Sequence, residues 1–306
     1  MLRYAAVCAC LAGACAGAPP APTETASDPD RASAPASPAP AEQEPAEQEP
    51  VRAVDCGAEI RDAAAVLVPG AIVMLGEMHG TAEIPAFAGD LACRAAARGH
   101  RVLLGLEIPS TEQEAIDRYL ASDGSTVARD ALLAGAHWQA ACPDGRSSQA
   151  MLALVERVRR LRRDGLGIDV FAFDSGTYDD WNRRDASMAE TILARAAGAP
   201  EALVLTLSGN LHNRLVPGLP WDDSKVPMGV HVAAAHERVI SLDVRYAGGT
   251  AWIQRSEDEC GATELSGKPA YRDRYVEIGD GAGNPVGTGV FSVGAVTAAA
   301  PARASR

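Results

Sequence analysis

Four short apolar runs, each closing on a polar residue and separated by helix-length stretches, constrain the fold more than any other feature of this chain. Ala71-Ile-Val-Met-Leu75 runs into Gly76, and Arg101-Val-Leu-Leu-Gly-Leu-Glu107 ends on an acid. Ile168-Asp-Val-Phe-Ala-Phe-Asp174 does the same, and Ala202-Leu-Val-Leu-Thr-Leu-Ser208 runs into Gly209. Near-continuous apolar strands of this kind are buried on both faces. Between them the period changes to that of helices. Ile84, Phe87, Leu91 and Ala95 share one face of a helix over residues 84–98 that stops at Gly99. Met151, Leu154, Val155, Val158 and Leu161 stripe a second helix over residues 148–164, whose other face is a solvated, Arg-rich surface. Ser110-Thr-Glu-Gln113 reads as a capping box opening another helix, and residues 181–197 form a further one. Residues 239–244 and 250–254 read as a closing strand pair turned at Gly248-Gly249. Strands alternating with helices predict an α/β fold, with a mostly parallel central sheet and helices on both faces. Such sheets gather their sites at the carboxyl edge, where the polar strand ends lie.

Two of those ends share a pattern, Gly76-x-x-His79 and Gly209-x-x-His212. Glycine allows a sharp exit from a sheet, and a histidine three residues on can point back over the edge. The recurrence predicts two pseudo-repeated halves with both histidines facing one site. Glu77 stands two residues before His79, where a carboxylate holds an imidazole's tautomer and raises its basicity. Glu107 closes an apolar strand. Arg184, in the first turn of a helix, is unfavourable with the helix dipole there, which points to another use for a forked cation. Met188, one turn on, is placed to pack inward. His137-Trp138 and the segment Pro143-Asp-Gly-Arg-Ser-Ser148 read as surface loops in preference to a lining of the cleft, and His100, His231 and His236 as structural or exposed.

The ends of the chain differ in composition. Arg3, the apolar run from Tyr4 to Ala14, and Ala12-Gly-Ala-Cys15 read as a signal peptide with a lipobox. On that reading Cys15 is the lipidated residue, rather than Cys10 or a plain cut near Ala18. Residues 16–50, with the near-repeat Ala41-Glu-Gln-Glu-Pro45 and Ala46-Glu-Gln-Glu-Pro50, lack any large apolar residue and read as a disordered tether. They carry seven acids against one Arg, 1 − 7 = −6 of the chain's −12, so the folded part is only mildly acidic. That excludes nucleic acid as a partner, since it demands a basic face. Residues 51–295 are expected to form one α/β domain, and residues 296–306 a disordered tail. Cys56, Cys93, Cys142 and Cys260 lack metal-type spacing and predict two disulfides. Three connectivities are open, the simplest being Cys56–Cys93 with Cys142–Cys260. Together these features place the protein in the bacterial cell envelope, held to the membrane by lipid.

The motifs, in order, are Gly76-Glu-Met-His79, the strand-end Glu107, Arg184-Asp-x-x-Met188 and Gly209-Asn-Leu-His212. In that order the stretch from about residue 70 to 215 resembles the erythromycin esterase, ChaN and Tiki superfamily of α/β proteins. The resemblance implies that Glu77, His79, Glu107, Arg184 and His212 are the site residues. In this superfamily the esterases open a macrolide lactone without metal, Tiki proteins are metal-dependent proteases, and ChaN-type lipoproteins serve haem or iron uptake. The chain lacks the long helical insertions of the esterases' macrolide cleft and has no tyrosine placed for haem ligation. Two readings follow. The first is a hydrolase of ester, lactone or amide bonds in a small-molecule or peptide substrate. His79 activates water, Glu77 and Glu107 orient it, and Arg184 with His212 stabilises the oxyanion or protonates the leaving group. In a variant, Glu77, His79, Glu107 and His212 hold a divalent metal such as zinc or manganese. The second is a lipoprotein that binds haem, iron or another small ligand without turnover.

Overall fold

A computed structural model describes residues 54–303, apart from residues 141, 177 and 178. The expected signal peptide, lipidation at Cys15 and tether lie outside the described residues. The elements follow the alternation of the sequence: β1 (Ile72–Glu77), α1 (Glu83–Ala97), β2 (Val102–Pro109), α2 (Gln113–Leu120), α3 (Thr126–Leu132), α4 (Gln149–Arg163), β3 (Ile168–Asp174) and α5 (Trp181–Ala197). Then come β4 (Leu203–Gly209), α6 (Met228–Ala235), β5 (Val239–Arg245), β6 (Gly249–Gln254), β7 (Cys260–Leu265), β8 (Arg274–Ile278) and β9 (Gly289–Val293).

Seven strands form one sheet in the order β3-β2-β4-β1-β5-β9-β8, parallel except for β8, which runs antiparallel to β9. The pleat sorts each strand between two cores. Val73 and Leu75 of β1, Leu104 and Leu106 of β2, and Leu205 and Leu207 of β4 pack with α1 and α4. Ile72, Met74, Leu103 and Val204 face the other way, toward Met188 and Ile192 of α5 and Met228 and Val232 of α6. Both faces are therefore covered by helices, and strands buried twice need the continuous apolar runs seen in the sequence.

Helix starts follow the capping rule in part. Ser148 Oγ accepts the Met151 N–H at the head of α4, and Asp180 caps α5 through the Arg183 N–H. The Ser110 capping box does not form. Residues 110–112 make a 3₁₀ turn without a side-chain cap, and α2 begins at Gln113. Gln113 instead turns its amide to the outer edge of β3, donating to the Val170 carbonyl and accepting from the Ala172 N–H.

The expected pairing of the two closing strands is corrected. β5 enters the large sheet between β1 and β9, while β6 pairs with β7 in a separate antiparallel hairpin. Gly248 and Gly249, at φ 109° and 134°, carry the chain out of the sheet plane in a conformation open to glycine. The tail from 296 is also not loose over its described length. Gln149 N–H donates to the Ala300 carbonyl, Ala302 N–H to Ser147, and Thr81 bridges Ala298. An Ala/Pro-rich composition reads as disorder, but its backbone groups are ordinary hydrogen-bond partners.

Both disulfides are Cys56–Cys93 and Cys142–Cys260, with Cα atoms 5.4 and 5.6 Å apart. The first lies in the core beneath α1. The second joins the loop before α4 to the start of β7. Among the described residues no helix is long and apolar enough to cross a membrane.

Candidate active site

Asp174, Gly209 and Glu77 end β3, β4 and β1, and Glu107 lies two residues before the end of β2, so the four form a row along the carboxyl edge of the sheet. Glu107 is its centre. β2 shifts register against β3 between Leu106 and Pro109, which frees its end from the ladder. The carboxylate is only 3% exposed. Its Oε2 accepts the Gly209 N–H at 2.7 Å, and its Oε1 accepts Arg184 Nη2 at 2.7 Å and Arg146 Nη1 at 2.9 Å. Burial alone would raise its pKa. Its neighbours His212, His79, Arg146 and Arg184 outweigh burial and hold it well below the usual carboxylate range.

Arg184, on the first turn of α5, lies beneath this carboxylate. It grips Asp174 with two donors, Nε to Oδ1 at 3.0 Å and Nη2 to Oδ2 at 2.8 Å, and gives Nη1 to His212 Nε2 at 3.1 Å. A guanidinium only donates, so His212 Nε2 accepts and its proton sits on Nδ1. Asp185 takes that proton at 2.8 Å and also accepts the Met228 N–H that opens α6. Trp181 stacks flat on the His212 ring, 4.6 Å between centroids. The purpose hinted at by a cation at a helix N-terminus is thus the buried Asp174. Burial would lower Arg184's pKa, but Asp174 and Glu107 raise it. Burial pulls Asp174 the other way, and Arg184 with the Gly176 N–H keeps it low.

His79 is the most exposed of the five residues, with 23% of its side chain open to solvent. Nδ1 lies 2.7 Å from Glu77 Oε1, and Nε2 lies 3.5 Å from Glu107 Oε2. Burial and Arg146 oppose the ring's charge, but the two carboxylates prevail and raise its pKa from 6.5 to about 9. At neutral pH the resting ring is therefore an imidazolium, held at both nitrogens.

The two glycines work differently from the turn expected of them. Neither has positive φ. Each instead clears space for a residue of the other turn. A Cβ on Gly76 would lie 2.5 Å from the Asn213 amide, and one on Gly209 would lie 3.0 Å from His79 Nε2. The pairing Glu77↔Gly209 also shows the two motifs one residue out of step across the β1–β4 ladder.

All five residues expected from the sequence converge here. Arg184 and His212 are both buried, and their polar atoms face one another, Asp174, Asp185 and Glu107. Arg146 corrects the surface-loop reading of residues 143–148. It reaches Glu107 and, at 3.3 Å, Asp174, while its other nitrogens hold Asp144. Asp174 was legible as a strand end and Asp185 as the neighbour of Arg184. Arg146 and Trp181 left no periodic or motif signal.

The donor set does not fit a metal. Two guanidiniums and a backbone N–H occupy the oxygens of Glu107, and Arg184 stands on His212 Nε2. Among the described residues no group of three or more His, Cys, Asp or Glu is arranged around a cation position.

No protein-family model matches the sequence, and no curated protein matches it. Solved structures do. A Bacillus cereus protein superposes with a TM-score of 0.57 at 11% identity, covering 78% of this chain and 91% of its own. A succinoglycan biosynthesis protein gives 0.55 at 9% identity, with the same coverage of 78% and 91%. A mutant of the erythromycin esterase EreC in its open conformation gives 0.52 at 13% identity, covering 66% and 78%. At these identities the likeness concerns the fold.

Proposed function

We propose that this chain is a hydrolase of ester, lactone or amide bonds, using water activated by His79 without a metal. The observation that carries the reading is the placement of His79. It is partly open to solvent beside the buried Glu77 and Glu107, with one nitrogen on Glu77 and the other turned to Glu107. Glu77 keeps the Nδ1 proton in place, leaving Nε2 as the working atom once the ring has lost its second proton. A water seated beside Nε2 and Glu107 Oε2, within hydrogen-bond reach of both, gives its proton to Nε2 as its oxygen bonds the substrate carbonyl carbon. The same proton then passes to the departing alkoxide or amine as the carbon–heteroatom bond breaks, leaving an acid and an alcohol or amine. Glu107 orients the water, and Arg184 with His212 and Asp185 keeps Glu107 fixed and ionised. The fold shared with an erythromycin esterase supports a hydrolase, whereas the substrate is this chain's own question. We also place the protein in the bacterial envelope, anchored through Cys15. Two disulfides suit an oxidising compartment.

The test is hydrolysis of a panel of p-nitrophenyl esters, lactones and short peptides by the purified protein and its His79→Ala and Glu107→Gln variants. Turnover that rises with pH toward about 9 and is lost in both variants is the expected result. Turnover that survives both, or a haem-binding protein without turnover, overturns the reading.

A further inference from the structure

Three pieces of chain meet at the mouth of this site, backbone against backbone. Trp252 of β6 donates its N–H to the Gly80 carbonyl, one residue past His79, and its indole N–H to the Pro143 carbonyl at 3.2 Å. Gly145, at φ 97°, lies against Gly80, where no side chain fits on either residue. The next residue, Arg146, is the one that reaches Glu107. The Cys142–Cys260 bond closes this stack from outside, four residues before Arg146 and at the first residue of β7. The two disulfides are placed differently. Cys93 is fully buried and Cys56 is 8% exposed, whereas Cys142 is 8% exposed and its partner Cys260 lies at the partly exposed rim.

We propose that Arg146 is a positioning residue of the site and that the Cys142–Cys260 bond holds it on Glu107, so that reduction of this one disulfide releases Arg146 and switches the site off. The inference rests on the hydrolase reading for its consequence, but not for its geometry. Reduction is an exchange with a dithiol. The S–S bond breaks, Cys142 and Cys260 each gain a hydrogen, and the dithiol closes to its own disulfide, which balances two electrons and two protons. Released, residues 142–148 lose their covalent link to β7 and rely on non-covalent contacts: the Trp252 bond, the Gly80–Gly145 contact, the bonds of His137 to the Arg146 carbonyl and of Ala302 to Ser147, and the ion pairs of Arg146 itself. Glu107 then loses one of its two guanidinium partners. His79 faces Glu77, Glu107, Arg146 and Asp144, so it feels the departure of one positive charge and titrates at higher pH.

The experiment treats the oxidised protein with dithiothreitol and maps free thiols by mass spectrometry. It then measures amide exchange over residues 142–148, the His79 imidazole titration by NMR, and p-nitrophenyl ester hydrolysis. Expected are free Cys142 and Cys260 with Cys56–Cys93 intact, at least tenfold faster exchange confined to the loop, a higher His79 titration point, and a tenfold or greater fall in kcat/KM reversed by reoxidation. Arg146→Gln, with both disulfides intact, should reproduce the His79 shift and the loss, and Arg146→Lys should restore part of each. This variant decides the matter if reduction unfolds the protein. Unchanged loop exchange and an unmoved His79 after reduction overturn the inference, as does full ester turnover in Arg146→Gln. Release of the loop with the His79 shift, in a protein that hydrolyses nothing when oxidised, supports the clamp and removes the hydrolase reading instead.

Discussion

Replacing Glu77 by Gln tests the electrostatics on which the site depends. The change keeps the shape of the side chain and an oxygen for His79 Nδ1, but removes a charge 2.7 Å away. The native ring titrates at about 9 rather than 6.5. That difference, 9 − 6.5, corresponds to about 3 kcal/mol favouring the charged ring, at 1.36 kcal/mol per pH unit. Burial opposes it, so the two carboxylates together contribute more than this. Glu77 is in direct contact, while Glu107 is 3.5 Å away and shared with two arginines. Glu77 therefore carries the larger part, and its loss should lower the titration by roughly two pH units, to near neutrality. The stability effect has a definite sign. A group whose pKa is raised by folding contributes fully below 6.5, and the contribution is lost as pH rises through about 9. Glu77→Gln should thus destabilise the fold near pH 6 and hardly at all near pH 10. Imidazole nitrogen NMR of the two proteins measures the first effect, and urea unfolding at the two pH values measures the second. A native His79 that titrates near 6.5, or one unmoved by Glu77→Gln, refutes the reasoning.

Three further outcomes follow from the same geometry. Gly209→Ala sets a methyl 3.0 Å from His79 Nε2, so hydrolysis should fall at least tenfold while unfolding free energy changes by about 1 kcal/mol; a fully active variant contradicts the placement of Nε2. Asp185→Asn weakens the support of His212 and of the α6 start at once, and should cost roughly 1–3 kcal/mol in chemical unfolding; a neutral result means neither bond matters. In acid, Glu107 and Asp174, both held low, should keep their contribution above about pH 4.5 and lose it as pH falls further. Circular dichroism through an acid titration checks this, and a loss of stability that begins above pH 6 contradicts it.

The parallel core of the fold was legible because strands buried on both faces must be apolar throughout. β1 to β4 and helices α1, α4 and α5 accordingly fall within a residue or two of where the periodicity puts them. Beyond β5 the pattern weakens. β7 and β8 mix small, charged and half-exposed residues, since a strand at an edge or in a hairpin needs no continuous apolar run, and the buried β9 is a five-residue strand interrupted by Ser292. The site was legible where residues end strands or repeat a motif. Arg146 was not, since only a non-local covalent link and a backbone stack bring it to Glu107, and neither leaves a period to read. The glycines carried the right signal for the wrong reason, because a close approach and a sharp turn both call for a missing side chain.

The mutual clearance at Gly76 and Gly209 also bears on how the molecule comes into being. His79 can rest over Gly209, and Asn213 over Gly76, only when β1 and β4 already lie side by side in their final register. β1 leaves the chain's early third and β4 its last, so their meeting closes a long loop containing two other strands and most of the helices. The active constellation is therefore an interlock rather than two preformed halves. Neither turn can be productive alone, and no partly built sheet holds a reactive histidine. On the hydrolase reading, activity should emerge in refolding only after β1 and β4 have paired, a chemical report that two strands far apart in the chain have found each other.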